Sequence, residues 1–192
     1  MRAAQVCRFR EGLATVAILF SVAGGTAAQT TVGLPDTAQS TTLTAAVAEQ
    51  VRVTIPAGVS FNVTNVRSST SEGNVAISVQ NIVLSTATKQ LRISLTANAT
   101  SFTPPSAGAT TWSASDVSWN AGPGGGPNQW QNATGSAGTL SAAAYNTVAT
   151  CNADTSSCSI TKLSITLDAK PTVKRAGSHT LIVTWKFESI GS

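Results

Sequence analysis

Apolar and polar residues alternate in several short stretches of this chain. The alternation runs through residues 51–55, 75–79, 91–95 and 163–167. Successive side chains of a β-strand point to opposite faces, so a period of two predicts strands with one face toward a core and the other toward water. Pro and Gly stand between the stretches, as in "IPAGVS" and "KRAGSH", and mark turns.

The last alternating stretch, "SHTLIVTWKFES", is the longest. It places one set of side chains on a single face: His179, Leu181, Val183, Trp185 and Phe187. Ile182 is the one apolar residue outside this pattern. Residues 43–50 ("LTAAVAEQ") are the one stretch after the amino-terminal region that could form a helix, and they could equally lead into the first strand.

About six to eight short strands with one wet face per sheet are typical of an antiparallel β-sandwich. We therefore expect an all-β protein in which residues 43–192 form a single Ig-like β-sandwich domain. No internal repeat is visible in the sequence.

The amino terminus has the three parts of a secretory signal peptide. Arg2, Arg8 and Arg10 precede an apolar run over residues 13–23, and a small-x-small site ends at Ala28. The run is too short to cross about 30 Å of hydrocarbon comfortably, so an uncleaved anchor is the weaker alternative. We expect a signal helix over residues 1–28 that is removed, a polar flexible leader over residues 29–42, and no membrane span after cleavage.

Charge is sparse once the signal peptide is removed. The chain has 12 Lys and Arg against 8 Asp and Glu, and residues 1–28 hold three Arg and one Glu, which leaves 9 against 7. Charged residues are 10% of the chain, against about 25% in average soluble domains. No basic cluster for nucleic acid is present. We expect a secreted bacterial protein, located outside the cell or in the cell envelope.

Cleavage also leaves two cysteines, Cys151 and Cys158, because Cys7 leaves with the signal peptide. In an oxidising compartment such a pair predicts a disulfide, which we place at the tip or edge of a hairpin. Closing so short a loop stabilises the fold by about 2.5 kcal/mol on the chain-entropy model. A zinc site needs about four ligands, so we expect no metal.

Catalytic groups are scarce. His179 is the single histidine, and the acids are scattered, whereas a triad needs a base held by an acid and glycoside hydrolysis needs two paired carboxylates. The glycines of "AGPGGGPNQW" lack the Lys of a phosphate loop. We therefore expect no enzyme, no catalytic residue and no cofactor, and we interpret His179 as a packing residue.

Three of the four tryptophans fall between about Asn98 and Gly138, in a segment with few aliphatic residues: Trp112, Trp119 and Trp130. Long loops of this kind are often functional, and exposed indoles stack on sugar rings, so these are candidate ligand-binding residues. The alternative is that Val117 and Trp119 belong to a core strand while Trp112 and Trp130 cap the ends of the sandwich.

The stretch "AGSHTLIVTWKF" resembles the final strand of bacterial secreted Ig-like sandwiches. The signal peptide, the low charge and the Thr-rich strands more loosely resemble fimbrial and spore-coat-U-type surface subunits. The resemblance implies a non-catalytic spacer or a fibre or coat subunit, with copies of itself or other envelope proteins as partners.

Two functions therefore stand as hypotheses. In the first, the leader over residues 29–42 adds as a strand to a neighbouring subunit. In the second, the protein is an adhesin module that binds a glycan or the matrix through the Trp-bearing segment.

Overall fold

The computed structural model describes residues 40–120 and 129–191. The chain divides into two units, Met1–Thr44 and Ala45–Ser192. Residues 40–44 are the described part of the first unit, and they are exposed and without assigned secondary structure. The predicted signal peptide and most of the predicted leader lie outside the described residues.

The second unit is all-β, as predicted. Its nine strands in the described chain are β1 (Gln50–Thr54), β2 (Thr70–Val83), β3 (Gln90–Ala97), β4 (Val117–Asn120), β5 (Ala133–Gly135), β6 (Gly138–Thr139), β7 (Asn146–Cys151), β8 (Ser157–Leu167) and β9 (Val183–Ile190). The sequence predicted six to eight. β5 and β6 have three and two residues, too few for an alternation to be recognised.

The strands form two antiparallel sheets. The first has five strands in the order β1-β2-β8-β4-β6, and the second has four in the order β5-β7-β3-β9. The predicted alternations at residues 51–55, 75–79, 91–95 and 163–167 coincide with β1, β2, β3 and β8. Periodicity located β2, β3 and β8 because each has buried residues on one face, whereas in β1 only Val51 is half-buried and the other residues are exposed.

One apolar core collects side chains from both sheets. In β2 and β8 the inward residues alternate with exposed or half-buried ones, and they include Val75, Ile77, Val79, Leu163 and Leu167. β3 adds Leu91, Ile93 and Leu95 from the second sheet. Burying each of these side chains completely stabilises the fold by about 1.5–3 kcal/mol.

β9 begins later than the sequence predicted. The alternation starts at His179, but the ladder with β3 starts at Val183, and Thr180 before it makes an isolated bridge to Thr103. Ile182 is exposed, in agreement with its place outside the pattern. The apolar stretch before β9 therefore bonds to residues 98–103 through its backbone but is not part of the β3–β9 ladder.

The disulfide joins Cys151 to Cys158, as predicted, with their Cα atoms 5.8 Å apart. Its predicted place at a hairpin is wrong. Cys151 ends β7 in the four-stranded sheet, whereas Cys158 lies in β8 of the five-stranded sheet. The bond therefore connects the two sheets, and both cysteines are fully buried.

The described residues contain no helix long and apolar enough to span a membrane. The helical element that they do contain is a 3-10 turn at Ala114–Asp116. Residues 43–49 have no assigned secondary structure and lead into β1, which corresponds to the non-helical alternative for this stretch.

Replacing both cysteines by alanine (Cys151→Ala with Cys158→Ala) should lower the free energy of unfolding by about 2–5 kcal/mol. The reason is that the unfolded chain gains the entropy of an open loop while the two sheets lose a covalent link. Denaturant unfolding, compared with the untreated and the reduced parent protein, measures the change. A loss below about 1 kcal/mol would show that the disulfide contributes little to the stability of the fold.

Candidate functional site

The two sides of the sheets differ in how they are closed. At one side the chain passes from β5 in the four-stranded sheet to β6 in the five-stranded sheet. Backbone hydrogen bonds fix this crossing: Ser136 N donates to Val148 O at 2.7 Å, and Leu140 N donates to Val117 O at 2.8 Å. This side is therefore covered by residues 136–140, whose backbone bonds to both sheets.

The other side carries the edge strands β1 and β9. Within the described residues β1 pairs with β2 alone, and β9 pairs with β3 alone. The outer edge of β9 thus has no strand partner there. An unpaired edge presents backbone N–H and C=O groups that can accept a further strand.

An open groove of about 1280 Å³ lies at this side. Its lining comes from residues 55–63 after β1, from residues 173–183 before β9, and from the core itself. The buried core residues that line it are Leu95, Trp112, Val117, Trp119, Leu140, Ile165, Leu167 and Val173. The groove exceeds the roughly 300–1,000 Å³ of small-molecule sites.

Residues 55–63 contribute a strand-like surface to the groove. Val59, Phe61 and Val63 are half-buried against the core, and the residues between them are exposed. This is the period of a strand, yet these residues pair with no strand in the described chain. They form one wall of the groove, and the face of this wall that points toward the core is apolar.

Apolar side chains before and within β9 are incompletely covered. Ile182 is 66% exposed and Val183 is 38% exposed, although both line the groove. Trp185 and Phe187, which point inward from β9, are half-buried. An apolar surface of this kind, beside a free strand edge, is typical of a binding site for another polypeptide segment.

Glu49 connects the start of β1 to the turn between β2 and β3. Its Oε1 accepts hydrogen bonds from Ser85 N at 2.8 Å and from Lys89 Nζ at 3.0 Å. The Ser85 hydroxyl, then Lys89, and also Ser189 in β9 bond this carboxylate and lower the pKa of Glu49 from 4.5 to about 2. We call these contacts the Glu49 clamp.

A second charged cluster lies on the face of β9 that points away from the core. Glu188 accepts a hydrogen bond from Arg92 at 2.9 Å and forms an ion pair with Lys186. Lys186, first, and Arg92 lower the pKa of the Glu188 carboxyl. Charges on this face leave the groove side of β9 apolar.

The three candidate ligand-binding tryptophans lie in the core. Trp112, Trp119 and Trp130 are 5%, 4% and 5% exposed, so each is almost completely buried, although Trp112 and Trp119 contribute to the lining of the groove. The indole N–H of Trp112 donates to Asp168 O, and that of Trp119 donates to Ser136 O. The burial agrees with the core-or-cap alternative that the sequence left open.

The Trp-bearing segment is also not a long strandless loop. It contains β4, β5 and the 3-10 turn at Ala114–Asp116. Asp116 holds this turn by accepting from Ser113 N at 2.7 Å, and Lys170 donates to the same carboxylate. These contacts position Trp112 and β4 against the core.

His179 is held by two hydrogen bonds. Its Nε2 lies 3.2 Å from Arg175 O, and its Nδ1 lies 2.7 Å from the Thr111 hydroxyl. A carbonyl oxygen can only accept, so Nε2 carries the proton and Nδ1 accepts from Thr111. The ring meets Trp112 edge-on at 5.1 Å, which is a packing arrangement.

The described residues include no group of three or more His, Cys, Asp or Glu side chains that could hold a metal ion. Comparisons with protein-family models, with curated proteins and with solved structures found no match for this chain.

Sequence reasoning missed the groove. The alternation of Val59, Phe61 and Val63 in "VSFNV" was a signal for one wall, but the neighbouring Pro and Gly concealed it. No sequence pattern indicates which strands become edges. The Glu49 clamp was also missed, because its partners are about 40 residues away in the chain.

The Glu49 clamp predicts an acid-dependent loss of stability. The folded pKa of about 2 lies below the ordinary 4.5, so the folded state keeps the carboxylate charged while the unfolded chain takes up the proton. The contribution is complete above pH 4.5 and is lost as the pH falls toward 2. Denaturant unfolding of the parent and of Glu49→Gln should therefore differ at pH 7 and converge near pH 2; a constant difference would contradict this.

The close approach of Gly138 in β6 to Trp119 allows a steric test of the position of Trp119. A Cβ at Gly138 would lie 2.6 Å from Cζ2 of the buried Trp119 ring. Gly138→Ala should therefore lower the free energy of unfolding by about 1–3 kcal/mol. Gly73→Ala is the matched control, because a Cβ at this β2 position meets nothing within 4 Å. Equal effects of the two changes would show that Trp119 does not pack as described.

Proposed function

We propose that this protein is a secreted, non-catalytic structural subunit of the cell surface or envelope. Its described unit is an Ig-like β-sandwich, and its groove receives a β-strand from the amino-terminal region of a second copy. The resulting fibre or coat grows by repeating this contact. The open groove beside the unpaired edge of β9 is the observation that carries the proposal.

Strand addition accounts for the free backbone edge of β9 and for the apolar lining of the groove. Main-chain hydrogen bonds to β9 supply affinity, and alternate side chains of the added strand enter the apolar floor. The strand also covers Ile182 and Val183, which are 66% and 38% exposed in the described chain. A small molecule would leave the free edge of β9 without a strand partner, and the groove of about 1280 Å³ exceeds the size of small-molecule sites.

The contact between copies is heterologous, because the strand of one copy enters the groove of the next. Such a contact generates a fibre or an open assembly unless its rotation closes a ring. This geometry fits the spacer, fibre or coat role that the resemblance to fimbrial and spore-coat-U-type subunits implies. A location outside the cytosol agrees with the disulfide and with the sequence of residues 1–28.

A glycan- or matrix-binding adhesin remains the other hypothesis from the sequence. The structure favours it less, because the three tryptophans on which it depended are buried and two of their N–H groups bond to backbone carbonyls. His179 is likewise occupied by structural contacts, which supports a non-catalytic role.

The test is the native mass of oxidised residues 29–192, measured by light scattering after size exclusion, with negative-stain images of the same sample. We expect oligomers or fibres at micromolar concentration. Val183→Asp places a charge in the apolar groove, where no partner compensates its desolvation, and should raise the apparent Kd for assembly at least tenfold.

Thr184→Asp is the matched control. Thr184 is the next residue of β9, is exposed, and points to the opposite face, so the same charge is added outside the groove. This variant should assemble like the parent. A monomeric parent at high concentration, or equal behaviour of the two variants, would overturn the proposed function.

A further inference from the structure

We infer that the strand donated to the groove is residues 43–48, held ready by the Glu49 clamp, and that its recipient is a second copy of this chain. The inference rests on the proposed function and narrows it. It replaces the leader over residues 29–42, which the sequence alone indicated as the donor, by the segment that directly precedes β1.

Residues 43–48 carry uncovered apolar side chains. Leu43 is 92% exposed and Val47 is 72% exposed, the two highest values among the exposed large hydrophobic residues. In an extended conformation Leu43, Ala45 and Val47 share one face. Burying Leu43 and Val47 in a neighbour's groove would remove this apolar surface from water.

The segment also suits burial because it is uncharged. Residues 40–48 ("STTLTAAVA") contain no Asp, Glu, Lys or Arg, so no charge must be desolvated when the segment enters the groove. Thr44 and Ala48 would then face outward from the added strand. The next charged residue after this stretch is Glu49, which is already engaged by Ser85 and Lys89.

Chain length prevents this segment from filling the groove of its own chain. The Glu49 clamp fixes the segment at the start of β1, and Ile55, where the groove begins, is five residues beyond Gln50, about 17 Å along the strand. Six residues span at most about 20 Å when fully extended. Folded back, residues 43–48 would reach only the near end of a groove that continues to Val63.

A second distance, taken along β9, also limits how far the segment can extend in its own chain. Ser189, near the end of β9, contributes to lowering the pKa of Glu49, so the clamp lies near this end, and Val183, which lines the groove, is six residues away from Ser189, about 20 Å along β9. Any turn that reverses the chain shortens further the distance that residues 43–48 can span. A segment that must first reverse its direction therefore stops short of Val183 in its own chain, whereas in a second copy it can lie along the groove without a reversal.

The experiment compares two double variants of oxidised residues 29–192 by light scattering over a range of concentrations. Leu43→Asp with Val47→Asp places two charges on the inserted face and should raise the apparent Kd for assembly at least 100-fold. Thr44→Asp with Ala48→Asp adds the same charges at the same spacing on the outward face, and this control should assemble like the parent.

A deletion of residues 29–48 distinguishes the failure of this inference from the failure of the proposed function. The deleted protein should be a monomer, and a synthetic peptide of residues 40–49 should bind it with one peptide per chain and raise its Tm. The same peptide with Asp at positions 43 and 47 should not bind.

Three results would overturn the inference. If the deletion abolishes assembly while Leu43→Asp with Val47→Asp assembles normally, the donor lies in residues 29–42 and the proposed function stands. A parent that is monomeric because its own leader fills the groove would bind the peptide only after the leader is deleted. This result would exclude an exchange of strands between copies. If the deletion leaves the assembled mass unchanged, the proposed function fails as well.

Discussion

The covalent link between Cys151 and Cys158 is the constraint around which the two sheets are organised. β8 is the central strand of the five-stranded sheet, and β7 lies inside the four-stranded sheet. The chain crosses from one to the other within a few residues, and the buried disulfide holds this crossing closed. Because the sheets are joined near their centres, their edges can differ without separating the core.

The edges do differ. On the β5 and β6 side the chain itself bridges the sheets, and Trp119 packs beneath Gly138 where the approach is too close for a Cβ. On the β1 and β9 side the described bridge is the Glu49 clamp, which bonds the β2–β3 turn and Ser189. Beyond this clamp the groove opens beside the outer edge of β9, which pairs with no strand in the described chain.

Much of the fold could be predicted from alternation, because β2, β3 and β8 bury one face completely. The groove could not be predicted in this way. Val59, Phe61 and Val63 alternate as clearly as residues of β1, yet they pair with no strand in the described chain. Periodicity reports which side chains face a core, and it is silent about which backbone edges remain without a partner.

The sequence by itself determined the all-β class, the strands with one buried face and the pairing of the two cysteines, since each follows from local periodicity or from a count of residues. Three other properties depend on tertiary structure: the disulfide joins the two sheets instead of closing a hairpin, Trp112, Trp119 and Trp130 are buried, and β9 is an open edge in the described chain. Each depends on which strands become neighbours, and that choice is made by contacts between residues far apart in the chain.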